Sequence, residues 1–339
     1  MKESDIRPEN LLKRYLELSE QDAANCFENE PRAMIPCVGC GSLQVEPDFE
    51  KHGFAYGLCR DCGTLYQTPR PSLSAFEAFY RDSVSSNYWA EIFFPAVAEA
   101  RRDKIFHPRA QRLADMCEAQ GLAIQRLIDV GAGYGIFLDE WRKRAPDTQL
   151  VAIEPSAALA AECRFKGFEV VENIVEQVGG GYEGFADLVV CFEVLEHVYE
   201  PIAFVKSLMR LVRPGGMVFV STLCIDGFDL QTLWQKSSQI FPPHHINFLS
   251  VVGFEKLFMR AGLVEVTVTT PGKLDVDIVS NASRIDPELL RGNRFIRHLI
   301  ADDAKATAFQ DFLAANRLSS HAWVLGRVPD DNMSDVKMD

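Results

Sequence analysis

A glycine-rich turn between an apolar strand and a helix constrains the fold of this chain most strongly. Residues 126–130 are typical of a buried strand, residues 131–135 read Gly-Ala-Gly-Tyr-Gly, and residues 136–144 return to helical spacing. Glycine permits a sharp turn and lets a ligand lie against bare backbone. Glu154 lies 19 residues beyond Gly135, at the end of the next predicted strand, where a ribose-binding carboxylate is expected. The pattern predicts an α/β sheet that binds a nucleoside cofactor.

The glycine spacing distinguishes between kinds of nucleoside cofactor. A dinucleotide loop follows G-x-G-x-x-G/A, which requires a small residue at the position of Ile136. Residues 129–140 also contain no Lys or Arg that would pair with a pyrophosphate. We therefore expect a zwitterionic or cationic ligand. The alternative is an α/β domain whose glycine turn binds nothing.

The loop and the acid together resemble the class I methyltransferases that use S-adenosylmethionine. The first motif of that family looks like residues 129–135, and its second motif ends in an acid like Glu154. The resemblance implies a Rossmann-like α/β sheet with an antiparallel terminal hairpin. It also implies that S-adenosylmethionine contacts residues at the ends of three core strands, namely Asp129, Gly131, Gly133, Gly135, Glu154, Pro155, Phe192 and Glu193.

Composition and charge limit the expected compartment and partners. Of the 339 residues, 47% are hydrophobic and 24% are charged, as in globular proteins. No apolar run approaches the roughly 20 residues that span a bilayer, and the first residues lack an apolar signal segment, so we expect a cytoplasmic protein without a membrane span. The net charge of −13 makes nucleic acid an unlikely main partner, because that affinity depends on Lys and Arg.

Four of the nine cysteines form two C-x-x-C-G pairs separated by 18 residues, which is the spacing of a structural zinc ribbon. Four thiolates fill the coordination shell and leave no position for a catalytic water. A redox pair or a disulfide is the alternative, and both are less favoured in a cytosolic chain. The other five cysteines are predicted to be core residues. The predicted zinc ligands are Cys37, Cys40, Cys59 and Cys62.

Apolar periodicity and proline positions divide the chain into regions. A methyltransferase domain follows a ribbon and a helical segment, and a helical insertion separates its last two strands. The final residues are acidic and are predicted to be a disordered tail. The predicted regions are a leading helix (1–33), the zinc ribbon (34–70), a helical lid or linker (71–122), the methyltransferase domain (123–329, with the insertion at about 272–318) and the tail (330–339).

A second motif follows the fourth predicted strand of the core. Residues 193–197, Glu-Val-Leu-Glu-His, resemble the acidic segment at this place in small-molecule methyltransferases, including the quinone O-methyltransferases. Residues 213–216 are predicted to be a turn that leads into a strand at 217–222. Ligands bind beyond the carboxyl ends of parallel strands, so residues 193–197 border the expected pocket. His197 is a candidate acid or base, or alternatively holds the loop by hydrogen bonds.

A third motif, Phe-Pro-Pro-His-His-Ile-Asn-Phe-Leu-Ser, occupies residues 241–250. Together with the ribbon, it resembles sugar C-methyltransferases that act on nucleotide-linked deoxysugars, whose motif reads Tyr-His-Glu-His-x-x-Tyr-Phe-Ser. Alignment on Ser250 places His245 at the histidine proposed as the base of that family. Residues 242–244 replace its Tyr, His and Glu, so the tyrosine and glutamate functions of the motif are missing here.

An aromatic segment precedes the core. Residues 79–88 resemble the tyrosine-and-serine segment that follows the ribbon in sugar methyltransferases, which makes Tyr88 a third catalytic candidate. Tyr88, Trp89, Phe93 and Phe94 are expected either to line the acceptor pocket as a lid or to pack in the core. The layout also resembles ribbon-bearing methyltransferases of polysaccharide and natural-product gene clusters.

These resemblances imply a reaction and its requirements. Methyl transfer is an in-line displacement at a sulfonium methyl, so the acceptor atom must lie about 3 Å from the methyl carbon, and a hydroxyl acceptor needs a base. We expect a small-molecule acceptor, such as a saccharide, nucleotide-linked sugar, glycan or secondary metabolite. His245 is the expected base and His244 its nearest competitor. The alternatives are an RNA methyltransferase with a zinc-dependent substrate module and a non-catalytic binding protein.

Overall fold

The computed structural model describes residues 1–330, so the predicted tail at 330–339 lies outside the described residues apart from Asp330. The helices are α1 Glu9–Phe27, α2 Leu73–Asp82, α3 Val84–Tyr88, α4 Phe94–Arg101, α5 His107–Ala119, α6 Ile136–Arg144, α7 Ala157–Phe165, α8 Pro201–Leu211, α9 Phe228–Leu233, α10 Val251–Ala261, α11 Asp275–Ile285, α12 Arg294–Ile300 and α13 Asp303–Ala315. The strands are β1 Arg32–Ala33, β2 Val45–Lys51, β3 Phe54–Cys59, β4 Leu65–Gln67, β5 Arg70–Pro71, β6 Arg126–Val130, β7 Gln149–Ile153, β8 Glu169–Val171, β9 Ala186–Phe192, β10 Val212–Leu223, β11 Asn247–Phe248, β12 Val264–Thr269 and β13 His321–Arg327.

A seven-stranded sheet forms the centre of the molecule, in the order β12-β13-β10-β9-β6-β7-β8. The five strands from β10 to β8 are parallel, whereas β13 runs antiparallel to both of its neighbours. All seven residues of β9 are buried, as expected for an apolar strand with helices on both faces. The predicted α/β fold with an antiparallel terminal hairpin is therefore confirmed.

Helices cover both faces of the central sheet. On one face, Leu208 of α8 and Phe254 of α10 pack against Ile128 of β6 and its neighbours. On the other face, Leu113 of α5 and Trp141 of α6 join a separate apolar cluster. Successive side chains of a strand point to opposite faces, so the continuous apolar runs of the parallel strands supply both clusters. The carboxyl edge of the sheet is thereby held between rigid helices.

A second sheet surrounds the N-terminal cysteines. β2, β3 and β4 are antiparallel, and β11 extends this sheet by pairing with β4. The sequence does not predict β11, because two residues have no periodicity of their own. β11 comes from residues 247–248, which directly precede α10 of the core, so one short strand joins the ribbon to the core.

The first helices pack beside the ribbon. Phe27 at the end of α1 contacts Phe54 of β3, with ring centroids 5.2 Å apart, and Phe76 of α2 at 5.0 Å. Ser72 caps α2, where its side-chain oxygen accepts a hydrogen bond from the backbone N–H of Ala75 at 3.3 Å. Two π-helical turns connect α3 to α4 and α4 to α5. Among residues 1–330, none of the helices combines the length and apolar character that crossing a lipid bilayer requires.

Two local predictions are wrong. The turn predicted at 213–216 belongs to β10, because Gly215 N–H donates to the carbonyl oxygen of Val328 at 3.0 Å and Val328 N–H donates to that of Gly216 at 2.9 Å. These bonds to the chain after β13 extend the strand beyond its apolar pattern. Cys26 is exposed rather than buried, in the last turn of α1. The remaining four cysteines outside the ribbon pairs are buried, namely Cys117, Cys163, Cys191 and Cys224.

Candidate active site

The glycine loop connects β6 to α6 at the carboxyl edge of the sheet. Gly131, Gly133 and Gly135 have φ angles of 73°, 55° and 65°, in the left-handed region that favours glycine. A Cβ on Gly131 would approach Val194 Cγ2 to 2.8 Å, whereas a Cβ on Gly133 would meet nothing within 4 Å. The loop is therefore closed beside Val194 and leaves open space at Gly133, where a ligand has access to the backbone.

Glu154 lies against this loop. Its carboxylate accepts hydrogen bonds from Gly133 N–H at 2.8 Å and from Ser156 N–H at 2.9 Å. Glu154 is 5% exposed, and burial raises its pKa. The acid and the loop meet because β7 runs parallel to β6 and ends at the same edge. Pro155 follows Glu154 and is exposed.

Asp129 is buried inside β6, one residue before its end. Burial, followed by the negative charge of Glu154, raises the pKa of Asp129 to about 8. Its Oδ1 atom has no hydrogen-bond partner among residues 1–330. A buried carboxyl oxygen without a donor is costly. The orphaned oxygen thus fits a cofactor that donates a hydrogen bond at the carboxyl edge of β6.

Phe192 and Glu193 lie at the end of β9, beside the loop. The Glu193 carboxylate accepts hydrogen bonds from Ser221 Oγ at 2.7 Å and from Arg109 Nη2 at 3.2 Å. Although burial acts to raise it, the neighbouring His321 and the guanidinium of Arg109 hold the pKa of Glu193 at about 2. The φ of Glu193 is 55°, an unusual value for a residue with a side chain. The arrangement holds an ionised carboxylate at the strand end.

Sequence reasoning missed three basic residues near the site. Arg109 comes from α5 and His321 from β13, and neither lies in a recognisable motif. Lys166, which follows α7, donates to the carbonyl oxygen of Tyr134 at 2.6 Å and pairs with Asp139 at 2.9 Å. Residues 129–140 contain no Lys or Arg, but the fold brings Lys166 into contact with this segment.

Three side chains converge beyond the end of β9. Ligand atoms of Glu196, His197 and His245 all lie within 4.8 Å of one another. His197 Nδ1 lies 2.9 Å from the carbonyl oxygen of His244, and His245 Nδ1 lies 2.7 Å from that of Gln239. A carbonyl oxygen only accepts, so each ring carries its proton on Nδ1 and presents a lone pair at Nε2. Burial lowers the pKa of His197 to about 4 and that of His245 well below its usual value, so both rings are neutral.

His244 has different contacts from its neighbour. It is 3% exposed, and its Nε2 lies 2.8 Å from Ser85 Oγ, which donates to Asp22 Oδ2 at 2.6 Å. Because the Ser85 hydroxyl donates to the carboxylate, it accepts from His244 Nε2–H. The ring also contacts Phe79, with centroids 4.9 Å apart. His244 therefore ties its loop to α1 and α3 through Nε2, and its acceptor nitrogen is Nδ1.

The aromatic segment covers the glycine loop. Phe94 stacks on Tyr134 of the loop, with ring centroids 4.9 Å apart and an interplanar angle of 3°. Trp89 stacks on Phe93 at 4.4 Å. Tyr88 is half-buried in an aromatic cluster with Phe93, and its hydroxyl makes no hydrogen bond within the described part of the chain. The segment thus lies over the loop at Phe94, whereas Tyr88 has no polar contact with the histidines.

The four predicted zinc ligands converge in the ribbon. Their sulfur atoms lie within 4.8 Å of one another. Sγ atoms are 3.5 Å apart for Cys37 and Cys62, and 3.5 Å apart for Cys40 and Cys59. A disulfide would bring two sulfurs to about 2.05 Å, whereas tetrahedral ligands at about 2.3 Å from zinc lie about 3.8 Å apart. The four sulfurs therefore fit a tetrahedral ion of the size of Zn²⁺.

Known proteins resemble the core of this chain. A family model described as a methyltransferase domain matches residues 97–268. The ubiquinone biosynthesis O-methyltransferase of Acinetobacter baumannii (strain AYE) is 38% identical over 112 residues, which cover 31% of this chain and 46% of that protein. Its counterpart from Escherichia coli O127:H6 is 38% identical over 113 residues, covering 32% of this chain and 47% of that protein. The chain spans about half the length of the curated relatives it matches.

A solved structure supports the fold. The plantazolicin methyltransferase BamL, determined in complex with a triazolic desmethylPZN analog and SAH, is 13% identical, with a TM-score of 0.50. The match covers 75% of this chain and 94% of that one. The matched family region, 97–268, spans about half of the chain and contains the glycine loop, Glu154 and the converging histidines. This chain belongs to the methyltransferase domain family.

Proposed function

We propose that the protein transfers the methyl group of S-adenosylmethionine to a hydroxyl or carbon of a small-molecule acceptor, namely a saccharide, including nucleotide-linked sugars and glycans, or a secondary metabolite. The observation that carries this proposal is the glycine loop, open at Gly133 and adjoining Glu154, in a chain of the methyltransferase domain family. The two curated relatives are named as O-methyltransferases, which favours a hydroxyl acceptor. The net charge of −13 disfavours RNA.

The cofactor would be held by the residues at the strand ends. Glu154 has lone pairs for ribose hydroxyls, and the loop backbone approaches the ligand at Gly133. Asp129 offers the free oxygen, while Phe192 and Glu193 form the wall at the end of β9. When bound, S-adenosylmethionine supplies an electrophilic methyl group on a sulfonium.

The acceptor side is assigned to the histidine cluster and the aromatic segment. Within this proposal, His245 Nε2 takes the proton of the acceptor, since the bond from Nδ1 to Gln239 fixes the ring and leaves Nε2 free. His197 presents a second lone pair beside it. Trp89 and Phe94 exclude water from the loop. Tyr88 has an unbonded hydroxyl among the described residues and stays a proposed contact of the acceptor.

We further propose that Cys37, Cys40, Cys59 and Cys62 hold a structural Zn²⁺. The four sulfurs satisfy its full coordination shell, so the ion would stabilise the ribbon and take no part in methyl transfer. Nine cysteines without a disulfide among them favour a reducing compartment. A cytoplasmic location therefore belongs to the same proposal.

Cofactor binding by Glu154→Gln tests the proposed function. Isothermal titration of wild type with S-adenosylmethionine should give a micromolar Kd. The variant should bind at least about tenfold more weakly, because hydrogen bonds to a charged acceptor contribute about 1.5–3 kcal/mol. Glu118→Gln, an exposed change on α5, serves as the matched control and should bind like wild type. Failure of wild-type protein to bind the cofactor would refute the proposal.

A further inference from the structure

The cluster of Glu196, His197 and His245 consists of hydrogen-bond acceptors. Both imidazoles carry their proton on Nδ1, because Nδ1 faces a backbone carbonyl oxygen at 2.9 Å for His197 and 2.7 Å for His245. Each Nε2 atom therefore has a lone pair. A Glu196 carboxylate oxygen adds a third acceptor. One ligand atom from each residue, a ring nitrogen or a carboxylate oxygen, lies within 4.8 Å of the other two.

Few hydrogen-bond donors among the described residues reach these acceptors. Thr222 Oγ1 donates to Glu196 Oε2 at 2.7 Å. Within residues 1–330, no donor forms a hydrogen bond with Nε2 of His197 or with Nε2 of His245. Glu196 is 2% exposed, whereas both histidines are half-buried, so the cluster is closed at the carboxylate and accessible at the imidazoles. Converging lone pairs at low dielectric require a proton or a cation between them.

We propose that Glu196, His197 and His245 bind a divalent transition-metal ion, with Zn²⁺ as the reference case, through one carboxylate oxygen and two Nε2 atoms. Two imidazole nitrogens and one carboxylate form the ligand set of catalytic zinc sites, and nitrogen ligands disfavour Mg²⁺ and Ca²⁺. Histidines that bind metals usually donate their other ring N–H to a carbonyl or carboxylate oxygen. Both histidines here have that support, from His244 and Gln239.

This second site differs from the ribbon in one respect that matters for chemistry. Four cysteines close the shell of a tetrahedral ion, whereas three ligands leave a position open for water or a hydroxyl group. A hydroxyl bound next to such a cation loses its proton more readily. This role of the ion rests on the proposed function. In it, the acceptor O–H proton leaves to water, the oxygen electron pair forms the bond to the methyl carbon, and the S–C electron pair stays on sulfur.

The proposal changes the assignment of His245. As a metal ligand it uses its Nε2 lone pair to hold the ion and does not itself take the acceptor proton. A proton is the competing occupant of the cluster, because burial, followed by the charge of Glu193, raises the pKa of Glu196 to about 8. Metal analysis distinguishes the two occupants.

Metal stoichiometry of the full chain tests this inference without cofactor or acceptor. Wild type dialysed to equilibrium against micromolar Zn²⁺ should hold one equivalent more than His245→Ala and one more than Glu196→Gln. His298→Ala, an exposed change on α12, should match wild type. Equal metal content in wild type and both cluster variants would overturn the proposal, whether or not the ribbon is loaded.

Cobalt loading of wild type gives a readout that does not depend on the folding of a variant. Thiolate ligands produce strong ultraviolet charge-transfer absorption with Co²⁺, whereas nitrogen and oxygen ligands do not. After the thiolate absorption saturates, a further equivalent should give visible absorption that differs from that of the same amount of free aqueous Co²⁺. A further equivalent with only the spectrum of the free ion would overturn the metal site. Because neither measurement uses S-adenosylmethionine, failure of this inference is distinguishable from failure of the proposed function.

Discussion

Asp129 and Asp229 are buried carboxyl groups that form no ion pair within the described residues. Burial is the main cause that raises their pKa values, to about 8 for Asp129 and about 7 for Asp229. Each has an oxygen without a hydrogen-bond partner among the described residues. Asp129 lies one residue before the end of β6, next to the proposed cofactor site. For Asp229, which lies on α9 away from the glycine loop, the consequence is a dependence of stability on pH.

Asp229→Asn should remove part of that pH dependence. Burial, followed by the charge of Asp275, raises the pKa of Asp229 from 3.8 to about 7. Between these values the unfolded chain is ionised and the folded chain holds the proton, so the free energy of unfolding falls as pH rises, by up to about 1.4 kcal/mol per pH unit. Urea unfolding at several pH values between 4 and 7 should give a flatter profile for the variant. Parallel profiles would contradict the assignment.

The residues that form the candidate sites could be predicted from the sequence where they lie at fixed intervals along the chain. The glycine loop, Glu154 and the four cysteines lie at fixed intervals, and the structure brings each of these groups together as their spacing indicates. The states of the histidines could not be predicted, because the proton of His245 is positioned by a carbonyl oxygen at Gln239 in another turn of the chain. Arg109 reaches the site only through the tertiary fold.

The strands and helices that have long apolar patterns could be predicted from the sequence. The alternation from β6 to β10 follows from continuous apolar runs between helical segments. β11 could not be predicted in this way, because its two residues form a strand only through contacts with residues distant in the sequence. Asn247 of β11 donates through Nδ2 to the carbonyl oxygens of Leu195 at 3.2 Å and Val198 at 2.7 Å, and its Oδ1 accepts from Arg70 at 2.8 Å.

Asn247→Ala should therefore strongly destabilise the junction between ribbon and core. The change leaves one buried carbonyl group, one half-buried carbonyl group and one nitrogen of a buried guanidinium without this partner, at a cost of about 3 kcal/mol or more. Asn87→Ala removes an exposed amide with no side-chain hydrogen bond within residues 1–330 and should stay within about 0.5 kcal/mol of wild type. Chemical denaturation of both variants measures the difference. A similar cost for the two would indicate that the junction depends on other contacts.

The two sheets are connected in several places across the whole molecule. Arg260 of α10 donates to the carbonyl oxygen of Gly39 in the first cysteine turn at 2.7 Å, and Ser250 donates to the carbonyl oxygen of Cys62 in the second. β11 adds backbone pairing to β4. A disturbance of the cysteine turns is therefore transmitted to the start and the end of α10.

Removal of metal from the cysteine site should lower the stability of the entire chain. Because metal binding contributes folding free energy, we expect the midpoint of thermal unfolding to fall by on the order of 10 °C after chelation. The measurement is best repeated in Glu196→Gln, so that only the cysteine site contributes. An unchanged midpoint after verified removal of zinc would exclude a stabilising role for the ion.

The strand shared by ribbon and core has a consequence for how this protein can be taken apart. A shortened chain that begins at residue 97, where the family match starts, would lose the partner of β11 and the acceptor groups of α10. Conversely, a ribbon transplanted onto another methyltransferase would have to be accompanied by residues 241–250 of this chain. These residues would replace the corresponding segment of the host. The transplantable unit is discontinuous in sequence, and the segment that carries His245 travels with the ribbon.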